Sequence, residues 1–558
     1  MNSLIESLRD KLSSILSTFS NEKYNLYEIE ILFPENPEFG DISLNYALQK
    51  AKKEKKNPRE IAENLRNLFL NDPNSKTFFK DIKIAGPGFI NFYFSDDFLK
   101  NIIKEILVQN NSFGNNHSLK DKKVLIEFVS ANPTGPLTIA HGRQAVVGDS
   151  LAGIMNFCGA KADKEYYLND KGVQITTLGK SVFLRYLELF GKEIQFPEEC
   201  YQGDYIKDIA QNLKNEWKDK YLNISEEEGA DIFKKPAYQT ILDDINKDLK
   251  EFKVDFDNYF SEKSLEENNK IEECIDYLTK KNHIYKKEGA LWFESTKFGD
   301  DKDRVIKKSN NEYTYLSSDI PYHHDKLKRG YDMLINILGP DHHGYIARLE
   351  AAVEALGYDR KALRVLIVQL STLYRGDVQL RMSTRKGEFI TMRQLIDEVG
   401  VDAARYFYAS KKTDSHLDFD LELAKKHTPD NPVFYVQYAA ARISSIMGKA
   451  EEKNINIDNF ITEAINISLL NNIETKLIKL LFRFPDIVAD AAKQLEPQKI
   501  TSYLEKIAQE FQSYYSSGDK IISDEKEKTI QKLIVCKIFK QVIVNGLTLL
   551  GINSPERM

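Results

Sequence analysis

Cysteine is scarce: the chain has four in 558 residues, at 158, 200, 274 and 536, and none sit at CxxC spacing. That excludes a disulfide framework or a zinc knuckle as the organising device. No apolar run approaches the roughly 20 residues that cross a bilayer, so no membrane role is expected. The opening residues, MNSLIESLRDKL, are amphipathic and mixed in charge; no secretory leader is expected there, and the cytoplasm is the expected compartment. A formal charge of −6 argues against indiscriminate nucleic-acid binding but leaves room for local basic faces. With 42% hydrophobic and 29% charged residues, what remains is an ordinary globular chain, long enough for two to four domains.

The chemistry is concentrated between Val124 and Cys158. Val124-Leu-Ile-Glu-Phe-Val129 is β-branched and aromatic, of a length that suits a buried strand. Asn132-Pro-Thr-Gly-Pro136 breaks it sharply, since neither proline has an N–H and Gly135 tolerates any φ. Val147, Leu151, Ile154, Met155 and Cys158 then recur at helical spacing, with Gly159 placed to stop the helix. Strand, tight turn and helix make the first unit of a nucleotide-binding α/β sheet. Its helix start, Thr138 to Arg143, offers free N–H donors and a positive dipole end to phosphate. Neither GxGxxG nor a P-loop signature occurs here, so neither of those sites is supported.

Thr138-Ile-Ala-His141 resembles the His-Ile-Gly-His signature of class I aminoacyl-tRNA synthetases. The flanking Ser130-Ala-Asn-Pro-Thr-Gly-Pro and His141-Gly-Arg resemble the arginyl enzymes of bacterial type. Three further segments resemble the same family in the same order. Tyr313-Thr-Tyr315-Leu-Ser-Ser-Asp319 is similar to its YLxxD segment. Arg381-Met-Ser-Thr-Arg-Lys386 is similar to Lys-Met-Ser-Lys-Ser, with Arg381 and Thr384 in place of lysines. The proline- and glycine-rich Pro34–Asp41 loop, with Ala85-Gly-Pro-Gly-Phe-Ile-Asn-Phe92, resembles the family's own N-terminal domain.

The expected fold class is therefore α/β. It comprises a Rossmann-like catalytic domain with a parallel sheet (118–424), an α/β N-terminal tRNA-binding domain (1–110) and an all-α anticodon-binding bundle (425–558). Periodicity predicts helices over 3–19, through Leu44, Ala47 and Leu48, and over 467–484, 485–495, 498–515 and 524–550. A hairpin is expected over 82–94 and a helical insertion over about 180–285, with Trp292 in the core.

On the residues themselves, several readings stay open. The cations Lys50, Lys52, Lys53, Lys55, Lys56 and Arg59 suit a solvated face or a phosphate contact equally. Asp319 stands four residues after Tyr315, which on a helix shares a face; it also suits the cap of a helix beginning at Ile320-Pro321. Asp341-His342-His343 follows a buried strand without a third metal ligand at suitable spacing, so no metal site is expected.

The resemblance implies an arginine–tRNA ligase using ATP with Mg²⁺, L-arginine and tRNA(Arg), and a monomer is expected. It implies that Thr138, His141, Gly142, Met382, Ser383, Arg385 and Lys386 serve ATP. Glu127, Ser130, Asn132, His141, Tyr315, Asp319, Asp341 and His342 would hold arginine, and Asn169, Asp170 and Gln174 would line the site. Lys52, Lys53, Lys56, Tyr435, Tyr438, Tyr515 and Met558 would meet tRNA, the tyrosines stacking on unpaired bases. It further implies activation of arginine only with tRNA bound. Two alternatives remain: another class I synthetase such as the cysteinyl enzyme, which the cysteine spacing disfavours, and a tRNA-binding paralogue with impaired catalysis, suggested by Thr138, Ala140 and Thr384.

Overall fold

The computed structural model of the chain describes residues 3–380, 390–455, 457 and 465–558. Its N-terminal unit is built on a three-stranded antiparallel sheet in the order β1-β3-β2: β1 Ile42–Leu44, β2 Phe79–Ala85 and β3 Phe89–Phe94. β2 and β3 form the expected hairpin, turned through Gly86 at φ +53°. Phe69, Phe92, Phe94 and Phe98 fill the core beneath the sheet. The spacing predicts a helix through Leu44, Ala47 and Leu48; Leu44 is instead a strand residue paired with Ile90, and the helix Tyr46–Glu54 starts after it. All three residues of β1 are buried against β3, and that burial overrides the helical spacing.

The catalytic unit has a five-stranded parallel sheet: β4 Lys123–Glu127, β5 Lys161–Leu168, β6 Asn258–Ser261, β10 Met333–Leu338 and β11 Leu363–Ile367. Their order, β11-β10-β4-β5-β6, reverses direction at β4. Ligands in such sheets bind beyond the carboxyl ends of the strands at that switch point, here between β4 and β10. The register sets Asn336 of β10 directly beside Glu127 of β4, and Glu127 beside Glu165 of β5. The helix Ile139–Phe157 follows β4 as expected, and Gly159 at φ +86° turns the chain out of it.

The stretch 180–285 is helical over Asp204–Trp217 and Glu226–Glu251, but β6 lies inside it and closes one edge of the sheet. The antiparallel strands β7 Ile284–Lys287, β8 Ala290–Phe293 and β9 Arg304–Lys307 follow. Trp292, expected in the core, is only half-buried: it lies across from Tyr285 on the outer face, while Phe293 points inward. A second small sheet has β12 Ser371–Arg375 between β13 Val378–Gln379 and β14 Leu417–Asp420.

The C-terminal part is helical: Pro432–Glu452, Asn472–Phe482, Phe484–Gln494, Gln498–Ser516 and Lys526–Leu549. The second of these starts at Asn472 rather than 467. Asn471 and Glu474 form a reciprocal capping box there, after a 3₁₀ turn at Ile467–Leu469. Among the described residues no helix is long and apolar enough to cross a membrane.

Candidate active site

β4 ends at Glu127, and the chain then reverses within three residues. The Ser130 N–H donates to the Phe128 carbonyl (2.9 Å) around Val129 at φ +65°. Such a turn is costly for a β-branched residue, and strain of this kind collects at functional sites. Here it folds Ser130 Oγ back toward Glu127 Oε1 (3.3 Å), where it also accepts from the Tyr167 N–H (3.1 Å).

At the start of the helix Ile139–Phe157, the Thr138 N–H donates to His141 Nδ1 (3.1 Å). The ring's proton therefore sits on Nε2, and burial pulls its pKa down to about 4, so the imidazole is a neutral donor at physiological pH. Gly148 lets this helix close onto β4: a Cβ there would lie 2.2 Å from the Phe128 ring.

A cavity of about 500 Å³ lies at the switch point, lined by Glu127, Ser130, Asn132, His141, Tyr315, Asp319, Asp341 and His342. All eight residues expected at an amino-acid site thus meet in one space. Asn169 also lines it, whereas Asp170 accepts from Ser261 and the Lys263 N–H, and Gln174, exposed and not among the lining residues, accepts from Asn132 (2.8 Å). Thr138 and Gly142 are not among the lining residues; Gly142 faces Tyr408 and Met392.

Asp319 is inside the helix Tyr315–Lys328, whose N-cap is Thr314, so it is not a cap. Tyr315 stands 76% exposed at the rim, one turn before it. Burial pushes the Asp319 carboxyl up to about 7; the Glu127 and Glu262 charges add to this, and the Tyr345 hydroxyl and Lys326 oppose it. A cation entering beside Asp319 would reverse that balance.

Several functional-site residues escaped the sequence reading. Lys326 pairs with Glu127 and donates to Asn336 Oδ1 (3.2 Å). The Asn336 amide donates to His323 Nε2 (2.9 Å), and His323 Nδ1–H donates to the Asp319 carbonyl (2.8 Å). Two signals were available: 319, 323 and 326 share a helical face, and Asn336 is the one polar residue in the run Met333–Leu338.

Arg381, Met382, Ser383, Thr384, Arg385 and Lys386 lie outside the described residues. Just beyond them Thr391 bridges to Thr138, and the Met392 N–H donates to the Leu137 carbonyl (2.8 Å).

Far from the cavity, Lys52, Lys53 and Lys56 are exposed near the end of the helix Tyr46–Glu54, with Lys53 near Glu22 (3.6 Å) and Lys56 paired with Glu54 (3.0 Å). Tyr435 is half-buried against the bundle. Tyr438 accepts from Arg442 (2.7 Å), whose guanidinium lies 4.5 Å from both the Tyr438 and Tyr515 rings. Met558 is 48% exposed and shares a surface cavity with His427 and Phe434.

Three family models match consecutive parts of the chain. They are described as arginyl tRNA synthetase N terminal domain (residues 2–94), tRNA synthetases class I (R), catalytic domain (102–428) and DALR anticodon binding domain (436–558). An arginine–tRNA ligase of Geobacter sp. (strain M21) is 45% identical over 531 residues, covering 95% of each chain. A crystal structure of a putative arginyl tRNA synthetase from Campylobacter jejuni superposes with a TM-score of 0.77 at 35% identity, covering 83% of this chain and all of that one. The Thermus thermophilus arginyl-tRNA synthetase shares the fold over the full length of both chains, with a TM-score of 0.79 at 19% identity. On these matches the chain belongs to the arginyl-tRNA synthetases, in class I of the aminoacyl-tRNA synthetases.

Proposed function

We propose that the cavity between β4 and β10 is where this arginine–tRNA ligase holds L-arginine for attack on ATP. The enzyme makes arginyl-adenylate and pyrophosphate, then passes the arginyl group to the 3′-terminal ribose of tRNA(Arg). The observation that carries the site assignment is Asp319: it lines the cavity among a hydroxyl and other acids, and the nearby Lys326 is already paired with Glu127. A guanidinium is always charged and presents two parallel N–H groups, which a carboxylate alone accepts in full. Tyr315 would wall the entrance, and Ser130 and Asn132, which line the same cavity, are assigned to the backbone end of the substrate.

ATP would lay its α-phosphate at the start of the helix Ile139–Phe157, where free N–H groups and His141 Nε2–H donate to charge that grows in the transition state. Thr138 and Gly142 belong to that helix start without lining the cavity. Met382, Ser383, Arg385 and Lys386 would complete the pyrophosphate side. Among the described residues no cluster of three or more His, Cys, Asp or Glu suits a metal ion. Mg²⁺ would be held by the ATP phosphates and water. Lys52, Lys53 and Lys56 are assigned to the tRNA backbone, and Tyr435, Tyr438, Tyr515 and Met558 to the anticodon end. The domain division 1–110, 118–424 and 425–558, a monomer and a cytoplasmic site complete the reading.

The test is aminoacylation of purified total tRNA with each of the twenty amino acids. Only arginine should be joined, and with ATP alone; charging of any second amino acid at a comparable rate would overturn the assignment of the cavity.

A further inference from the structure

A chain of buried polar groups runs under the cavity and serves no step described so far. Lys326 is wholly buried, and its ammonium is enclosed by Glu127 of β4, the Asn336 side chain of β10 and the face of Tyr322, 4.0 Å from the ring centroid. Beyond Asn336, His323 completes the chain to the backbone of Asp319. Burying an ammonium this deeply is costly unless it is paired and hydrogen-bonded, and an apolar side chain would fill the same volume without that cost.

We propose that Lys326 is a positioning residue for the arginine pocket: it fixes the Glu127 carboxylate and supplies the single buried positive charge that lets Asp319 accept a guanidinium beside two other acids. This role rests on the assignment of the cavity to arginine. Without Lys326, Glu127 would turn its whole charge toward Asp319. Two acids sharing one site cannot both ionise freely, so one of them keeps a proton that the incoming guanidinium must displace.

The groups facing Asp319 are the Tyr345 hydroxyl from the turn after β10, Glu127 of β4, Glu262 after β6, Tyr167 of β5, and Lys326 and His323 of its own helix. Arg304 and Arg348 stand behind Tyr345. His323 stays neutral, since burial holds its pKa down at about 3, so it contributes nothing to titration near pH 7.

Arginine binding to the full chain, followed by calorimetry from about pH 5.5 to 8.5, tests the role. In the wild type the affinity falls about tenfold per pH unit once Asp319 carries a proton. Lys326→Met should move this acid limb up by roughly one pH unit, about fivefold weaker binding at pH 7 and about tenfold weaker toward pH 5.5. Glu127→Gln should move it the opposite way, because it removes a like charge and leaves Lys326 in place. The double variant should return the limb to near the wild-type position, whatever its absolute affinity. A purely structural role predicts lost melting temperature without these opposed displacements. Limbs that stay put, or that move in the same direction in both single variants, overturn the proposal. If one single variant fails to fold, the direction of the other decides. Wild-type binding with no acid limb would instead refute Asp319 as the arginine contact, and this role with it.

Discussion

Replacing Asp319 by Asn keeps the shape of the pocket floor and removes its charge. In the empty pocket the carboxyl is held at about 7, against an ordinary value of 3.8. That displacement of roughly three pH units corresponds to about 4 kcal/mol favouring the protonated form. The sign follows for stability: the contribution is fully present below about pH 4 and is lost as pH rises through 7. Above pH 7 the unliganded site holds a carboxylate that burial and two neighbouring acids disfavour, and a guanidinium relieves it. Removing one partner of such a desolvated charge pair costs about 3 kcal/mol, or roughly 100-fold in affinity. Asp319→Asn should therefore raise KM for arginine about 100-fold, raise KM for ATP far less, and abolish the acid limb of arginine binding. It should also melt at a higher temperature than the wild type at pH 8 and lose that advantage toward pH 5. Discrimination against citrulline should narrow, because the site no longer leaves an unpaired charge when the neutral analogue binds. Steady-state aminoacylation at saturating tRNA, run with arginine and citrulline from pH 5.5 to 8.5, reads the kinetic outcomes, and thermal melting at pH 5 and pH 8 reads the stability. Equal losses toward ATP and arginine, with an acid limb still present, would refute the reasoning.

Three further outcomes are expected. His141→Ala removes the Nε2–H donor and the ring that accepts from Thr138 N–H, and should slow adenylate formation about 100-fold; an unchanged rate of pyrophosphate exchange would misplace ATP. Gly148→Ala inserts a methyl group into the Phe128 ring and should destabilise the fold by about 1–3 kcal/mol in urea unfolding while weakening arginine binding, because Phe128 leads into the Val129 turn; unaltered unfolding would refute the close approach. Removing Arg557 and Met558 leaves the Lys540–Glu556 pair (2.7 Å) and the Asn553–Asp402 contact (3.2 Å) intact, so melting should barely change while KM for tRNA rises; an unchanged KM would count against a tRNA contact there.

What was legible in the sequence was local. The strand beginning at Val124, the break at Asn132–Pro136 and the helix ended by Gly159 each rest on residues within a few positions of one another, and they stand in the structure, except that the strand ends at Glu127 and Val129, expected in it, turns the chain at φ +65°. The expected arginine residues come from separate segments that meet in one cavity: at and after the end of β4, at the start of the helix Ile139–Phe157, on the helix Tyr315–Lys328 and after β10. What was not legible depends on distant partners. β1 is a strand because Ile42–Leu44 is buried against Ile90–Phe92, about fifty residues away, although Leu44 falls at helical spacing with Ala47 and Leu48. β6 is four residues long in a mostly helical stretch, and it pairs with β5, more than ninety residues earlier. Lys326 reads as one more charge near a helix end until β4 and β10 close over it.

The helix that begins at Thr138 is tied by buried arginines to segments more than 220 residues farther along the chain. Arg143, on the helix that begins at Thr138, is wholly buried; it donates to the carbonyls of Gln369 (2.8 Å), Lys412 (2.8 Å) and Ser415 (2.9 Å). Those carbonyls flank β12 and β14, and β12 runs through β13 toward the second signature. Arg405, also wholly buried, grips the same helix at Asp149 (2.6 Å) and reaches the carbonyls of Phe252 (2.8 Å) and Leu550 (2.7 Å). A lysine could not substitute: an ammonium has three donors on a flexible stem, whereas the guanidinium spreads five in a rigid fork and keeps its charge when buried. Burial does pull Arg143 down to about 10, which still leaves it charged at neutral pH. One helix is thus fixed near its start to the approach to the second signature, and farther along to the ends of the helical insertion and the C-terminal bundle. A displacement of that bundle must therefore either break the bond at Leu550 or be transmitted through Arg405 to the helix that carries His141.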